Sequence, residues 1–220
     1  MASSLHLLKH RGIKALLVCK TGLRIGGTEA SMSIGGAENP VIKDAKGTPY
    51  IPGSSLKGKM RSLLEYKYKR VGDNGSPCGC GQPLQACPVC TLFGPHRNTN
   101  HQLGPTRIIV RDAFLSTKSF QDWEKSREEG VEFTEIKTET SIDRRTGIAA
   151  RGSLRTQERV NAGTEFQLQV SVRVFEGDDE TKILEYIKEA IGMISKDTLG
   201  GAGTRGYGWV EVKDIEVFDC

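Results

Sequence analysis

The chain has 220 residues, 37% of them hydrophobic and 26% charged, with a net charge of +4. That is enough apolar material for one domain of ordinary size and excludes wholesale disorder. No apolar run reaches the roughly 20 residues a membrane helix needs, and residues 1–14 lack the apolar stretch of a secretion signal, so a cytoplasmic protein with no membrane contact is expected.

Residues 13–19 read as a strand, which the Gly-rich segment 21–27 ends. Residues 28–53 are rich in Gly, Ser and Pro and read as a loop. Leu56, Met60, Leu63 and Leu64 then share one face of a helix predicted to run to Tyr68, with Ser54 or Ser55 as its cap. This helix sets Lys57, Lys59, Arg61, Lys67, Lys69 and Arg70 against one acid, Glu65. Lys57 and Arg61, at i and i+4, repel each other unless an anion lies across both; a plainly solvated face is the alternative. Charge along the whole chain follows the same slope, with +9 in residues 1–70, +1 in 71–160 and −6 in 161–220. A polar molecule with an anion-facing side is implied.

Residues 71–105 are rich in Gly, Pro and Cys and have no usable period. Cys78-Gly79-Cys80 and Cys87-Pro88-Val89-Cys90 place four of the six cysteines within 13 positions. CxC and CxxC on tight turns suit a tetrahedral structural zinc site held by Cys78, Cys80, Cys87 and Cys90. Disulfides, which a reducing cytosol disfavours, and chance proximity are the alternatives, and His96 or His101 is a substitute for one thiolate. Cys19 and Cys220 stand apart. Ile108-Ile109-Val110 reads as a short strand, and the polar, Thr-rich stretch 133–159 as an exposed hairpin.

Phe166, Leu168, Val170, Val172 and Val174 alternate with polar residues, as in a strand with one buried face. Ile183, Leu184, Ile187, Ile191 and Ile194 form a second amphipathic helix. Residues 199–208 then hold five glycines, Arg205 and Tyr207. Glycines let a backbone approach phosphate, and Arg205 can fork onto its oxygens, but no Lys-Ser/Thr pair follows as in a P-loop. An ordinary flexible turn is the alternative. Val210 and Val212 alternate in one phase, and Ile215 and Val217 in the other, which predicts a β-bulge at Lys213-Asp214. The order strand, helix, strand, strand, helix, strand predicts an α+β fold, a ferredoxin-like or RRM-like βαββαβ palm. It spans residues 1–220 as one domain, with a zinc-binding insertion at 71–105 and a hairpin insertion at 131–165.

Several motifs run in order along nearly the whole chain: Gly22-Leu23-Arg24-Ile25-Gly26-Gly27, Asn39-Pro40-Val41-Ile42-Lys43-Asp44, and Ile51-Pro52-Gly53-Ser54-Ser55-Leu56-Lys57-Gly58-Lys59-Met60-Arg61. Leu92-Phe93-Gly94, Arg111-Asp112-Ala113-Phe114, Ile142-Asp143-Arg144 and the glycine-rich 199–208 segment follow. Together they resemble the RAMP superfamily, and within it the repeated backbone subunit of type III-A (Csm) CRISPR complexes. The resemblance implies a palm carrying a thumb hairpin at 131–165, with copies stacked into a filament along a guide RNA beside other type III CRISPR subunits. It also implies cleavage of complementary target RNA at regular intervals, by an acid in the loop after the first strand with Mg²⁺ or another divalent ion. The implied catalytic residue is Glu38, in Gly35-Gly36-Ala37-Glu38-Asn39-Pro40-Val41-Ile42, where the family typically has Asp. The implied RNA-binding residues are Ser54, Lys57, Lys59, Arg61, Arg144, Arg145, Arg151, Arg155, Gly201, Gly203, Arg205 and Gly206. A scaffold of the same fold without nuclease activity is the alternative. Two further classes are a guide-processing RNase using His6, His10, His96 or His101, and an unrelated zinc-ribbon protein. The latter leaves the glycine-rich loop and basic helix unexplained.

Overall fold

A computed structural model of the chain describes residues 5–26 and 39–220; Glu38 lies outside the described residues. In chain order the elements are β1 (Leu7–Cys19), α1 (Gly53–Lys67), α2 (Pro88–Phe93), β2 (Ile108–Val110), β3 (Phe114–Leu115) and α3 (Thr117–Glu128). β4 (Thr134–Glu139), β5 (Arg155–Val160), β6 (Glu165–Phe175), α4 (Glu180–Ile194) and β7 (Val210–Asp219) complete the chain.

The alternating residues of β6 decide the architecture. Phe166, Leu168, Val170, Val172 and Val174 are all buried, as are Ile13, Ala15, Leu17 and Cys19 of β1. Burying one such side chain stabilises by about 1.5–3 kcal/mol, so these two strands take the centre. The sheet order is β2-β6-β1-β7, antiparallel throughout, with β3 also along β6. That is the order reached when each of two helices carries the chain past one strand to the next parallel one, as the βαββαβ pattern anticipates. Leu56, Met60 and Leu64 of α1 and Ile183, Ile187, Ile191 and Ile194 of α4 join the same core cluster. β4 and β5 form a separate two-stranded sheet, and Val160 and Gln157 of β5 also bridge to Leu23 and Asn39.

The bulge in β7 is present. Lys14 pairs with Glu216 but Leu16 with Lys213, so Asp214 and Ile215 together oppose Ala15. Asp214 absorbs the extra residue in a left-handed conformation, φ +53°.

Other expectations need correction. α1 begins directly after Pro52, and neither Ser54 nor Ser55 caps it. The Gly53 N–H instead donates to Asp112 Oδ1 at 2.7 Å, a cap from 59 residues away. α3 was not anticipated: Ser116 caps it by accepting the Ser119 N–H at 3.2 Å, and Trp123 anchors it in the core. The cysteine-rich stretch holds the one-turn α2, with Pro88 at its start. Among the described residues, no helix is long and apolar enough to cross a membrane.

Candidate metal centre and nucleic-acid interface

Cys87 immediately precedes α2 and Cys90 lies within it, while Cys78 and Cys80 approach from irregular chain. The four sulfur atoms lie within 4.8 Å of one another, and no histidine joins the group. Cys78–Cys87, Cys80–Cys90 and Cys78–Cys90 are separated by 3.8, 3.6 and 3.7 Å. A disulfide needs about 2.05 Å. A tetrahedron with Zn–S arms of about 2.3 Å has edges of about 3.8 Å, so the donor set and spacing fit a tetrahedral thiolate-bound metal. Crowding splits the thiols. The Cys90 thiol beside it brings Cys87 down to about 5, whereas Cys90 is pushed up, chiefly by Cys87. Cys78 is raised by burial. His101 is engaged elsewhere, its Nδ1 accepting the Leu103 N–H at 3.2 Å.

Both ends of this insertion are fastened. Arg61 of α1 donates from Nε to Glu65 Oε1 at 2.9 Å and from Nη2 to the Cys78 carbonyl at 2.7 Å. The Cys78 N–H donates to the same Glu65 oxygen at 2.8 Å. At the far end, Arg107 reaches Asp178 with two bonds of 2.8 and 2.9 Å, bonds the carbonyls of Leu103 and Pro105, and stacks over the Phe175 ring at 4.8 Å. The Arg61 guanidinium therefore turns inward, away from Lys57. Lys59 lies 3.1 Å from Asp197. Lys57 has no acidic partner among the described residues.

A second assembly sits where the hairpin, the glycine-rich loop and both flanks of residues 27–38 converge. Leu23 and Val160 exchange backbone bonds of 3.0 and 2.8 Å, which joins β5 to the segment after β1. The Gly201 N–H donates to the Arg24 carbonyl at 2.9 Å and the Gly208 N–H to Gly22 at 3.0 Å. A Cβ on Gly200, φ +77°, would collide with the Arg24 carbonyl, and one on Gly208, φ +67°, with that of Leu199. These two glycines are thus explained by close packing of the protein on itself. Gly203 and Arg205 bound a 3₁₀ turn, and Gly206 follows it with open space where a Cβ would stand.

The Arg205 Nε lies 3.2 Å from Glu139 Oε2 and fastens the loop to β4. Lys137 and Arg159 stack on the Tyr207 ring at 4.5 and 5.0 Å. Burial works against the Glu139 carboxylate, but the Tyr207 hydroxyl and Arg205 guanidinium beside it hold its pKa below the usual value. Asn39, the neighbour of Glu38, accepts from Arg24 Nη2 at 3.1 Å on its side chain and from the Glu158 N–H at 3.1 Å on its carbonyl. Glu158 in turn accepts from Lys43 Nζ at 2.5 Å, Thr134 Oγ1 at 2.7 Å and the Val41 N–H at 2.9 Å.

Of the predicted glycine-rich residues, Arg205 meets the hairpin at Glu139, Gly201 bonds Arg24, and Gly203 and Gly206 lie in the same turn. Arg144, Arg145, Arg151 and Arg155 belong to the hairpin's outer part, where none pairs with an acid among the described residues, near the exposed Ile142, Ile148 and Leu154. Ser54 is exposed on the first turn of α1. Sequence reasoning gave Arg24, Asn39 and Tyr207 no role although all three lie in the quoted motifs. Glu158 carried no signal. Beside the foot of the hairpin, a cleft of about 330 Å³ is lined by Lys43, Lys46, Trp123, Arg127 and Phe133, a further basic surface.

A profile of the RAMP superfamily matches residues 16–211. The protein named CRISPR system Cms endoribonuclease Csm3 from Methanothermobacter thermautotrophicus is 42% identical over 213 residues, covering 91% of this chain and 82% of its own. Its namesake from Methanocaldococcus jannaschii is 40% identical over 209 residues, covering 93% and 79%. Among solved structures, a chain of the Csm3–Csm4 subcomplex in the type III-A CRISPR-Cas interference complex gives a TM-score of 0.59 at 30% identity, covering 97% of this chain and 80% of that one. The type III-B Cmr-beta complex bound to cognate target RNA gives 0.63 at 17% identity, covering 96% and 61%, a likeness of fold alone.

Proposed function

This chain belongs to the RAMP superfamily and, within it, to the Csm3 family, and from that premise we propose that it is a backbone subunit of a type III CRISPR interference complex that holds guide RNA and cleaves complementary target RNA. The observation that carries the reading is the convergence of the glycine-rich loop, the hairpin foot and the flanks of residues 27–38 on one junction, in a chain matched over nearly its whole length by proteins named as endoribonucleases.

The palm is one domain over residues 1–220, and Ser54, Lys57, Lys59 and the 201–206 turn contact guide backbone. Such contacts read strand shape through phosphates and 2′-hydroxyls without base preference. Residues 131–165 act as the thumb: Arg144, Arg145, Arg151 and Arg155 supply unpaired cations to the guide–target duplex, and exposed Ile142 packs on a displaced base. Cys78, Cys80, Cys87 and Cys90 hold a structural zinc that folds residues 71–105. The partners are guide RNA, target RNA, further copies of this chain and other type III subunits.

Glu38 is the carboxylate we assign to cleavage. Mg²⁺ or another divalent ion bound there supplies charge stabilisation to the phosphoryl transition state. The fixing of Asn39 by Arg24 and Glu158 sets where the main chain leaves that loop. Glu in place of the family's Asp favours a second reading, a scaffold that binds without cutting, since catalytic geometry is sensitive at the scale of one methylene. Assembled complexes with matched target RNA and Mg²⁺ separate the two. Evenly spaced cuts that Glu38→Ala abolishes without weakening target binding support cleavage through Glu38. If wild type and Glu38→Ala cut alike, or neither cuts, the scaffold reading stands.

A further inference from the structure

Glu65 lies in the middle of α1 and is 5% exposed, among Met60, Leu63 and Leu64, which are buried as well. A carboxylate in that position is tolerated only when its oxygens are satisfied, and an apolar pair would fill the same space without the desolvation penalty. Its two hydrogen-bond donors are Arg61, one turn earlier, and the N–H of Cys78. The second arm of Arg61 takes the Cys78 carbonyl. Both polar backbone groups of one cysteine are thus gripped by one buried ion pair, and nothing else in the helix core calls for charge.

What calls for it is the cysteine centre. Four thiolates around a divalent metal carry a net charge of −2; the Arg61–Glu65 pair is neutral as a whole, but it sets its positive end, the largely buried guanidinium, against the Cys78 carbonyl beside the site. Glu65 holds that guanidinium in place and pins the amide that orients Cys78. We propose that Arg61 and Glu65 are positioning residues of the cysteine centre, and that Arg61 sets how tightly the centre holds zinc rather than contacting RNA. The inference rests on the zinc reading given above. It assigns a reason for a charged pair in the core of the basic helix, and it removes one cation from the RNA face.

The test uses the full chain with zinc bound, titrated against a chromogenic chelator to obtain the zinc dissociation constant, and guide-RNA binding measured separately at saturating zinc. Loss of an outer partner of a metal ligand typically weakens metal binding 10–100-fold. Arg61→Ala and the near-isosteric Glu65→Gln are expected to show that loss. Arg61→Lys recovers only part of it, because one ammonium cannot span both Glu65 and the Cys78 carbonyl. Tyr68→Phe, which removes a 2.6 Å bond to Glu189 from the end of the same helix, is expected to leave zinc affinity unchanged and so separates a general weakening of α1 from the clamp. At saturating zinc, Arg61→Ala binds guide RNA like wild type, whereas Lys57→Ala does not. Arg61→Ala and Glu65→Gln proteins that hold zinc as tightly as wild type overturn the inference, as does an Arg61→Ala protein that keeps its zinc and loses RNA. A wild-type chain that binds no zinc at all overturns the zinc reading itself, a distinguishable result.

Discussion

The two insertions in this palm are anchored in opposite ways. Residues 71–105 contain only a single helical turn, yet they are tied at one end to α1 through Arg61 and Glu65 and at the other to Asp178 through Arg107. Their four cysteines meet in a group small enough for one ion. Residues 131–165 have regular structure, the β4–β5 ladder, which is fastened along its length through Val160, Glu158 and, at its last rung, Glu139, while the 140–154 tip beyond it has no such ties among the described residues. Their tip exposes Ile142, Ile148 and Leu154. Regular hydrogen bonding and tertiary fixation are therefore separate properties: the irregular insertion is tied at both ends, and the hairpin is tied along its ladder but leaves its tip exposed to meet a partner.

The largest effect that sharpens this contrast is expected at the cysteines. Cys90→Ser should abolish stoichiometric zinc, read by elemental analysis, and open residues 71–105 to protease. Structural zinc sites carry apparent binding energies of about 10–16 kcal/mol. An insertion that stays protease-resistant without metal would break the comparison. Next, Arg107→Ala leaves the largely buried Asp178 without its ion-pair partner, with the Phe175 N–H still donating to it. A loss of about 3–5 kcal/mol in denaturant unfolding is expected, and a loss under about 1 kcal/mol would mean that this end is not fastened.

The hairpin foot should respond to acid. Burial opposes ionisation of Glu158, but Lys43, Thr134 and the Val41 N–H outweigh it and hold its pKa below the ordinary 4.5. A group lowered in the folded state contributes stability that is complete above the unfolded value and is lost as pH falls through the folded one. Thermal melts from pH 7 to pH 3 should therefore show a steeper decline for wild type than for Glu158→Gln; parallel curves would dismiss this anchor. The smallest stability change belongs to deletion of residues 141–153. With little buried there, the unfolding free energy should change by no more than about 0.5 kcal/mol, while the spacing of target protection in footprints blurs. Unchanged spacing would remove the thumb assignment.

Where the chain alternates or repeats strongly, the fold was legible. β6 and α4 follow their apolar periods, and the phase slip after Val212 marks the bulge. α3 escaped because Trp123 is its one large buried side chain, too little for a period to register. The α1 cap escaped because Asp112 reaches it from across the fold. The clustering of the four cysteines was legible in the sequence, since all four lie within one short stretch. The Arg61–Glu65 pair was legible in principle, since Glu65 stands four residues on, the spacing at which the two side chains meet. Counting basic residues along a helix hides that pairing. The junction at Tyr207 was beyond sequence reading, because Lys137, Glu139, Arg159 and Arg205 come from three separate segments.

The bulge in β7 has a consequence for crowding. β7 is an outer strand of the sheet, ten residues long, and a straight outer strand of that length invites another chain to extend the sheet by backbone pairing. Here Asp214 turns left-handed midway and breaks the register, and Glu211, Lys213, Glu216 and Asp219 place charge along the same strand. Chains proposed to work as many copies side by side on one RNA meet at very high local concentration. For such a chain the kink guards against amyloid-like zippering, and contact between neighbours is left to loops and side chains that can dissociate.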